Sequence, residues 1–455
     1  MPKTTSVRSK SRLRRTPMLR RSRAALWSKR AWRPRLVFWF GALTVGLTSV
    51  LFAKLADGAQ HLFASLTTAP GVGTVAMLLV PPLGFALSSW LALTYFPNSQ
   101  GSGIPQAIAA RHLEADAERG RLLSLRVGFG KIVLTLLGLF SGASIGREGP
   151  TVQVGAAIMM AVGRAGGAMH ARGLILAGSA AGIAAAFNTP LAGIVFAIEE
   201  MGRAYEARTN GLVISAVVVA GLASLALTGN YTYFGESEAV VGSAEGWVLV
   251  VVCGVLGGAL GALFSAGALR LLRRLRRWTK GAPRRVVGAA ALCGLVVALI
   301  GFASGGTTFG TGYEQARAAI EGGTLSPLFF VGKFAAGLAS MVSGIPGGIF
   351  APSLAVGAGL GSTIGLVIGG GAGLAAILGM TGYFAGVVQA PMTAFVIIIE
   401  MTGNQTNVVP VMLTALLGFG TARLVSGEPL YHSLSRDYVA EALRRRRLDE
   451  ARNDA

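Results

Sequence analysis

Three short strings of glycine and proline stand at the head of apolar helical patterns: GSGIP at Gly101–Pro105, GREGP at Gly146–Pro150 and GIFAP at Gly348–Pro352. Proline suits the first turn of a helix, where its missing N–H costs nothing, and glycine lets backbone amides turn toward a ligand. A helix that begins in apolar surroundings has up to about four amide donors without intrahelical partners and carries the positive end of its dipole. Lipid cannot satisfy those donors, so the helix start must face protein, water or an anion. Several converging starts make a site for a small anion without lysines, whose full charge would hold it too tightly. The contributing positions are Gly101, Gly103, Ile104 and Pro105, then Gly146, Arg147, Gly149 and Pro150, and finally Gly348.

The second string also holds an acid, Glu148. Its plain reading is a carboxylate in the first turn of a helix, favourable with the dipole and facing Arg147 or water. The same physics allows more. A carboxylate at an anion site competes for it as a tethered anion, and once protonated it leaves and admits the free one. A second candidate is Glu200, at the end of the apolar run that follows Thr189-Pro190; its plain reading is a solvated helix-end charge near Arg203. An ionisable group at the end of a membrane helix is by default a functional candidate.

What positions these groups is a repeat. Gly130-Lys131, Ser141-Gly142, Gly146, Pro150 and Val154-Gly155-Ala156 recur as Gly332-Lys333, Ser343-Gly344, Gly348, Pro352 and Val356-Gly357-Ala358, all at one offset (332 − 130 = 202). Gly101-Ser102-Gly103 with Gln106-Ala107 recurs as Gly310-Thr311-Gly312 with Gln315-Ala316. Pro190 and Glu199 recur as Pro391 and Glu400 (391 − 190 = 201). Two copies around a central site are how pseudo-symmetric transporters look from sequence, whether the copies are parallel or inverted. The copies also differ. Glu148 corresponds to Phe350 (148 + 202 = 350), so the scaffold does not require an acid there. Glu199 and Glu400 correspond and read as structural, whereas Glu200 has no counterpart, because Met401 follows Glu400 directly.

Composition supplies the solvent. Hydrophobic residues make up 52% and charged residues 13%, against roughly 25% charged in a soluble domain. Trp39–Ala53, Ala76–Leu93, Leu212–Leu227, Val248–Leu263, Val286–Leu299 and Val408–Phe419 are apolar runs with almost no charge. Some approach the roughly 20 residues that span a bilayer, and the shorter ones suit broken or tilted helices. The expected fold class is an all-α polytopic membrane protein, with most of the 65 glycines serving close helix packing. A basic tail is expected over residues 1–35, a membrane region over 36–431 with halves at about 36–228 and 246–431, and a short charged tail, a short helix, over 432–455. The net charge of +21 is concentrated at Lys3–Arg35, which holds thirteen Lys and Arg while no acid occurs before Asp57, and at Arg270–Arg285 and Arg444–Arg447. All three clusters flank apolar spans. The positive-inside rule and anionic lipid account for them and place both termini in the cytoplasm, without a nucleic-acid partner. The apolar segment after the tail is too long for a cleavable signal core. Cys253 and Cys293 lie in apolar runs and read as small hydrophobes, and His61, His112, His170 and His432 show no ligand spacing, so no metal and no cofactor is expected.

GSGIP, GREGP and GIFAP in this order, followed by GEPLY ending at Tyr431, resemble the CLC family of chloride channels and chloride/proton antiporters, over about residues 36–431. The resemblance implies an inverted-repeat architecture with broken and tilted helices, and a homodimer with one pore per subunit in the plasma membrane, the inner membrane in a bacterium. It implies a chloride site made by Ser102, the amides near Glu148, the amides of Ile349 and Phe350, and the Tyr431 hydroxyl. Serine at position 102 goes with chloride in this family and proline with nitrate. By the same resemblance Glu148 is the external gate and proton acceptor. An acid where Glu200 stands takes protons from the cytoplasm in the family's exchangers, while typical channels have an uncharged residue there. One departure is visible: some exchanging relatives carry acids just after the GSGIP string, where this chain has Gln106, Ala107 and Ile108.

The expected function is therefore chloride/proton antiport, and the alternative is a passive chloride-selective channel of the same fold. An intramembrane hydrolase would need a nucleophile and a base, and the chain has no HExxH. A lipid-binding scaffold would explain the basic tails but not three matched glycine-proline blocks. No enzyme activity is expected.

Overall fold

The computed structural model describes residues 29–167, 170–202, 207–229, 231–235 and 237–453. Most of the expected basic tail and Arg203 lie outside the described residues. Nine helices fall in the first half: α1 (Lys29–Thr68), α2 (Gly73–Thr94), α3 (Ile104–His112), α4 (Asp116–Leu122), α5 (Leu125–Phe140), α6 (Glu148–Gly166), α7 (Ala171–Phe187), α8 (Pro190–Phe196) and α9 (Ala207–Thr228). The second half contributes α10 (Ala244–Thr279), α11 (Pro283–Ala303), α12 (Tyr313–Ile320), α13 (Phe329–Val342), α14 (Phe350–Ile368), α15 (Ala372–Val388), α16 (Pro391–Thr402), α17 (Val408–Val425) and α18 (Leu430–Asn453). Helix α1 begins seven residues before the boundary expected at Leu36, and α18 carries the charged end of the chain as one helix of 24 residues.

Among the described residues, eight helical stretches are long and apolar enough to cross a membrane. Helix α1 has 40 residues, about 60 Å at 1.5 Å per residue, so it crosses a hydrocarbon layer of roughly 30 Å tilted and with length to spare. Other helices are short because they begin inside the protein. Pro105, Pro190 and Pro391 occupy first-turn positions of α3, α8 and α16, where a residue without an N–H is tolerated.

The repeat is visible in the coordinates. Helices α6 and α14 each have 19 residues, and α7 and α15 each have 17. Within each copy the pair packs backbone against backbone: a Cβ on Gly178 would stand 2.3 Å from the Gly155 carbonyl oxygen, and one on Gly379 would stand 2.3 Å from that of Gly357. Only glycine permits that approach.

Two of the sets of hydrogen bonds that join the copies are symmetric. Gly146 and Gly348 exchange both amide–carbonyl bonds at 2.7 Å, in antiparallel sense. Equivalent residues paired antiparallel place a two-fold axis between the copies, so the segments entering α6 and α14 run in opposite directions. That is the inverted arrangement. Farther along, Glu400 accepts from the Leu191 and Ala192 amides at 3.0 and 2.7 Å, capping the start of α8. Glu199 accepts from Met392 and Thr393 at 3.1 and 2.6 Å, capping α16. Each half thus supplies the carboxylate that seals a helix start of the other, with the dipole favouring the charge.

Two buried lysines act within the copies. Lys131 Nζ donates to the Gly101 carbonyl at 2.8 Å, and Lys333 Nζ donates to the carbonyls of Gly310 and Thr308 at 2.7 and 3.0 Å. They hold the turns ahead of α3 and α12, and their charge is spent on backbone.

Glu199→Ala and Glu400→Ala each leave two first-turn amides without acceptors, a loss of about 1–3 kcal/mol. Each variant is expected to unfold at a temperature several degrees lower in detergent, read by tryptophan fluorescence. Midpoints equal to the parent would show that the cross-repeat caps contribute nothing.

Candidate functional site

The three glycine-proline strings meet. Gly103, the N-cap of α3, holds φ at 99°, a left-handed conformation that glycine alone adopts without strain. The turn it makes brings Ser102 against the start of α6: a Cβ on Gly149 would lie 2.8 Å from Ser102 Oγ and 3.3 Å from Gly348 Cα. A Cβ on Gly348 would in turn stand 2.9 Å from the Gly149 amide nitrogen. Gly149 and Gly348 thus allow three chain segments to approach one point. Ser102 Oγ also accepts from the Ile104 amide at 3.4 Å. The N-cap residues of α3, α6 and α14, Gly103, Arg147 and Ile349, contribute no side-chain cap. The contrast with α8 and α16 is sharp: those starts are sealed by carboxylates from the other copy.

Glu148 is completely buried at this point, and neither carboxylate oxygen completes a hydrogen bond within the protein. The carboxylate faces its own amide and that of Ala351 in the opposite copy. A Cβ on Gly146 would come 2.2 Å from Glu148 Oε2, so the glycine before the arginine makes the room the acid occupies. Tyr431, at the start of α18, is also fully buried; its hydroxyl lies toward Ser102 without completing a hydrogen bond and is within electrostatic reach of both Glu148 and Glu200. Phe350, the counterpart of Glu148, places its ring among Phe187, Phe196, Phe384 and Tyr431, with centroids 6.4, 6.1, 4.8 and 6.1 Å away. Where one copy carries a charge, the other builds an aromatic wall.

Arg147 turns away from this point. Its guanidinium donates to the Ala53 carbonyl at 2.6 Å and to Asp57 at 2.5 Å, within the wall of a cavity of about 520 Å³ lined also by Lys54, Gln60, Tyr233 and Thr311. Gln106 donates to the Gln100 carbonyl at 2.5 Å and steadies the turn ahead of Ser102. Glu200 is buried in a π-helical turn, Ala197–Gly202, that continues α8. Its carbonyl and carboxylate face His432, the residue after Tyr431.

The structure therefore brings together Gly101, Ser102, Gly103, Ile104, Pro105, Gly146, Glu148, Gly149, Pro150, Gly348, Ile349, Phe350 and Tyr431. It sets Glu200 apart, reached through α18, and directs the Arg147 side chain into the cavity. Asp57 and His432 were not singled out as site residues from sequence. Asp57 is the first acid in the chain, and His432 directly follows Tyr431. Neither position carries a spacing that marks a partner.

Helix starts from both halves of an inverted repeat, converging on a buried carboxylate inside a polytopic bundle, define a membrane transport protein. The chain belongs to the voltage gated chloride channel family, whose model matches residues 84–423. It is 33% identical over 424 residues to the H(+)/Cl(-) exchange transporter ClcA of Yersinia pestis, covering 86% of this chain and 85% of that protein. The ClcA exchange transporter of Salmonella paratyphi B is 32% identical over 434 residues, with 87% and 86% covered. Among solved structures, a slow cyanobacterial Cl−/H+ antiporter superposes with a TM-score of 0.79 at 26% identity, covering 90% of this chain and 98% of that one. A CLC-type fluoride/proton antiporter shares the fold with a TM-score of 0.74 at 21% identity, over 88% and 96%.

Gly149→Ala places a methyl group against Ser102 and Gly348. Halide affinity, measured by isothermal titration calorimetry, is expected to fall at least about tenfold, or roughly 1.4 kcal/mol, while the protein elutes unchanged in gel filtration. Parent-like affinity would remove the approach of α6 to Ser102 from the site.

Proposed function

We propose that this protein exchanges chloride for protons across the plasma membrane, the inner membrane if the cell is bacterial. The observation that carries the reading is the difference between its buried helix starts. Those of α8 and α16 are sealed by Glu400 and Glu199 from the other copy, while those of α3, α6 and α14 receive no capping side chain from their N-cap residues and meet beside Glu148. In this reading chloride takes up the place that the Glu148 carboxylate occupies, held by Ser102, the Ile349 and Phe350 amides, the amides beside Glu148, and the Tyr431 hydroxyl. Fixed amide dipoles replace hydration without a full counter-charge, so the ion binds and can leave.

Protonation of Glu148 removes the tethered competitor and opens the site, so that one group serves as gate and as proton acceptor. Its access route is the cavity beside Arg147 and Asp57, assigned to the external side. Glu200, buried and without a counterpart in the second copy, takes the role of internal proton acceptor. The relatives named as exchange transporters support antiport over a passive channel.

Orientation follows from charge. The basic end of α10 pairs with α18 through Arg276 and Asp437, and α4 and α18 line one small pocket through Glu118, Arg121, Glu441 and Arg445. Gly166, at the end of α6, lies near Val37 close to the start of α1, and Arg164 donates to the Asp116 carbonyl at the start of α4. The described basic segments of α10 and α18 and the start of α1 thus share one end, which the positive-inside rule assigns to the cytoplasm; both termini are assigned to the same side. Two copies associate, with one pore in each. Leu191 and Met392 correspond in the repeat (392 − 191 = 201), and their 61% and 55% exposure suits a helix face covered by a second copy in lipid.

Purified protein in liposomes, given an outward chloride gradient, is expected to take up protons against their gradient. Glu148→Ala is expected to pass chloride without protons, and Glu200→Gln to stop proton movement while chloride still flows. Chloride flux in the parent with no accompanying proton uptake would return the protein to the class of passive channels.

A further inference from the structure

His432 has no ligand spacing in the sequence, yet it packs directly on Glu200. Its Nε2 stands 3.0 Å from the Glu200 carbonyl oxygen and 3.7 Å from Oε1 of the same residue. A carbonyl oxygen only accepts, so Nε2 carries a hydrogen, donated to that carbonyl with the carboxylate of the same residue close by. The 3.7 Å separation is about 1 Å beyond a charge-assisted bond, so proton transfer requires the carboxylate to turn toward Nε2. Both side chains are buried, with 11% and 4% exposed.

The backbone at this place is as unusual as the pairing. Helix α16 runs as regular α-helix from Pro391 to Thr402, whereas its counterpart α8 gives way to the π-helical turn that bears Glu200. Single π-turns are frequent at functional sites because the inserted residue re-aims a side chain. Arg111 of α3 holds the end of this turn, donating to the Met201 and Gly202 carbonyls at 2.6 and 3.1 Å. The unique acid and the π-turn therefore occur together in the first copy only, and His432 reaches them from α18. Among the charged residues beside His432 in the chain, Glu428 accepts from Ser433 at 2.8 Å and pairs with Arg273 and Arg436.

We propose that His432 passes protons between solvent at the basic end of the molecule and Glu200. The inference rests on the antiport reading. In the forward step the Nε2–H bond of the imidazolium breaks as an O–H bond forms on Glu200 Oε1; the ion pair becomes a neutral imidazole and a neutral acid, and charge balances. A hydronium ion from solvent then reprotonates the ring, which the Glu200 carbonyl favours because a bare Nε2 would face it lone pair to lone pair. Imidazole suits the task, since its unperturbed titration falls between about pH 5 and 8.

His432→Gln keeps an N–H donor for the carbonyl but cannot carry a proton. In liposomes under a chloride gradient, proton uptake by this variant is expected to fall at least about tenfold, with a flatter dependence on the pH of the compartment facing Glu200. Added imidazole is expected to restore uptake to His432→Ala. The Glu148→Ala/His432→Gln double variant reports on folding, and its uncoupled chloride flux is expected to match that of Glu148→Ala. Parent-like uptake and pH dependence in His432→Gln would overturn the relay, as would loss of chloride flux in the double variant, which would mark a structural role. An uncoupled parent would instead defeat antiport itself, and the relay with it.

Discussion

A helix that begins inside a membrane protein has amide donors that lipid cannot satisfy, and the rest of this structure is organised around that constraint. Each buried start needs an acceptor. At α8 and α16 the acceptors are Glu400 and Glu199, exchanged between the two halves. At α3, α6 and α14 no N-cap side chain provides one, and the starts face a common point containing Glu148. One physical requirement thus has two solutions in the same molecule. The first fastens the halves together, and the second leaves positive dipole ends turned toward whatever anion is present.

The symmetry of the repeat builds the scaffold and its violations carry the chemistry. Lys131 and Lys333 both secure glycine turns, and Gly155–Gly178 and Gly357–Gly379 make the same helix contact. By contrast, Glu148 faces Phe350, and the π-turn with Glu200 faces an unbroken α16. An acid inside a membrane protein is expensive wherever it occurs. Each acid occurs in one copy only, so the second copy offers no equivalent ionisable group.

Much of this was legible before any coordinates. The offset of 202 between the copies located the matching helix starts, and the glycine and proline positions marked where those helices begin. Glu199 and Glu400 read as structural because they correspond, and Glu148 and Glu200 stood out because they do not. The least legible parts lay far apart in the chain. His432 and Glu200 are separated by 232 residues, as are others by similar spans, and neither lies on a periodic pattern that points to the other. Arg147 could have faced Glu148; its pairing with Asp57 depends on how α1 leans across the bundle.

The sequence by itself determined the solvent, the helices, the two-fold repeat and the identity of the groups that could hold an anion or a proton. Those properties follow from local composition and spacing, which need no knowledge of distant contacts. Tertiary structure alone decided which helix starts are sealed and which remain open, because that depends on carboxylates about 200 residues away. It also decided that Tyr431 and His432, adjacent in the chain, look in different directions, one toward Ser102 and one toward Glu200. Successive residues on a helix are turned about 100° apart, and only the packing of α18 fixes what each of them meets.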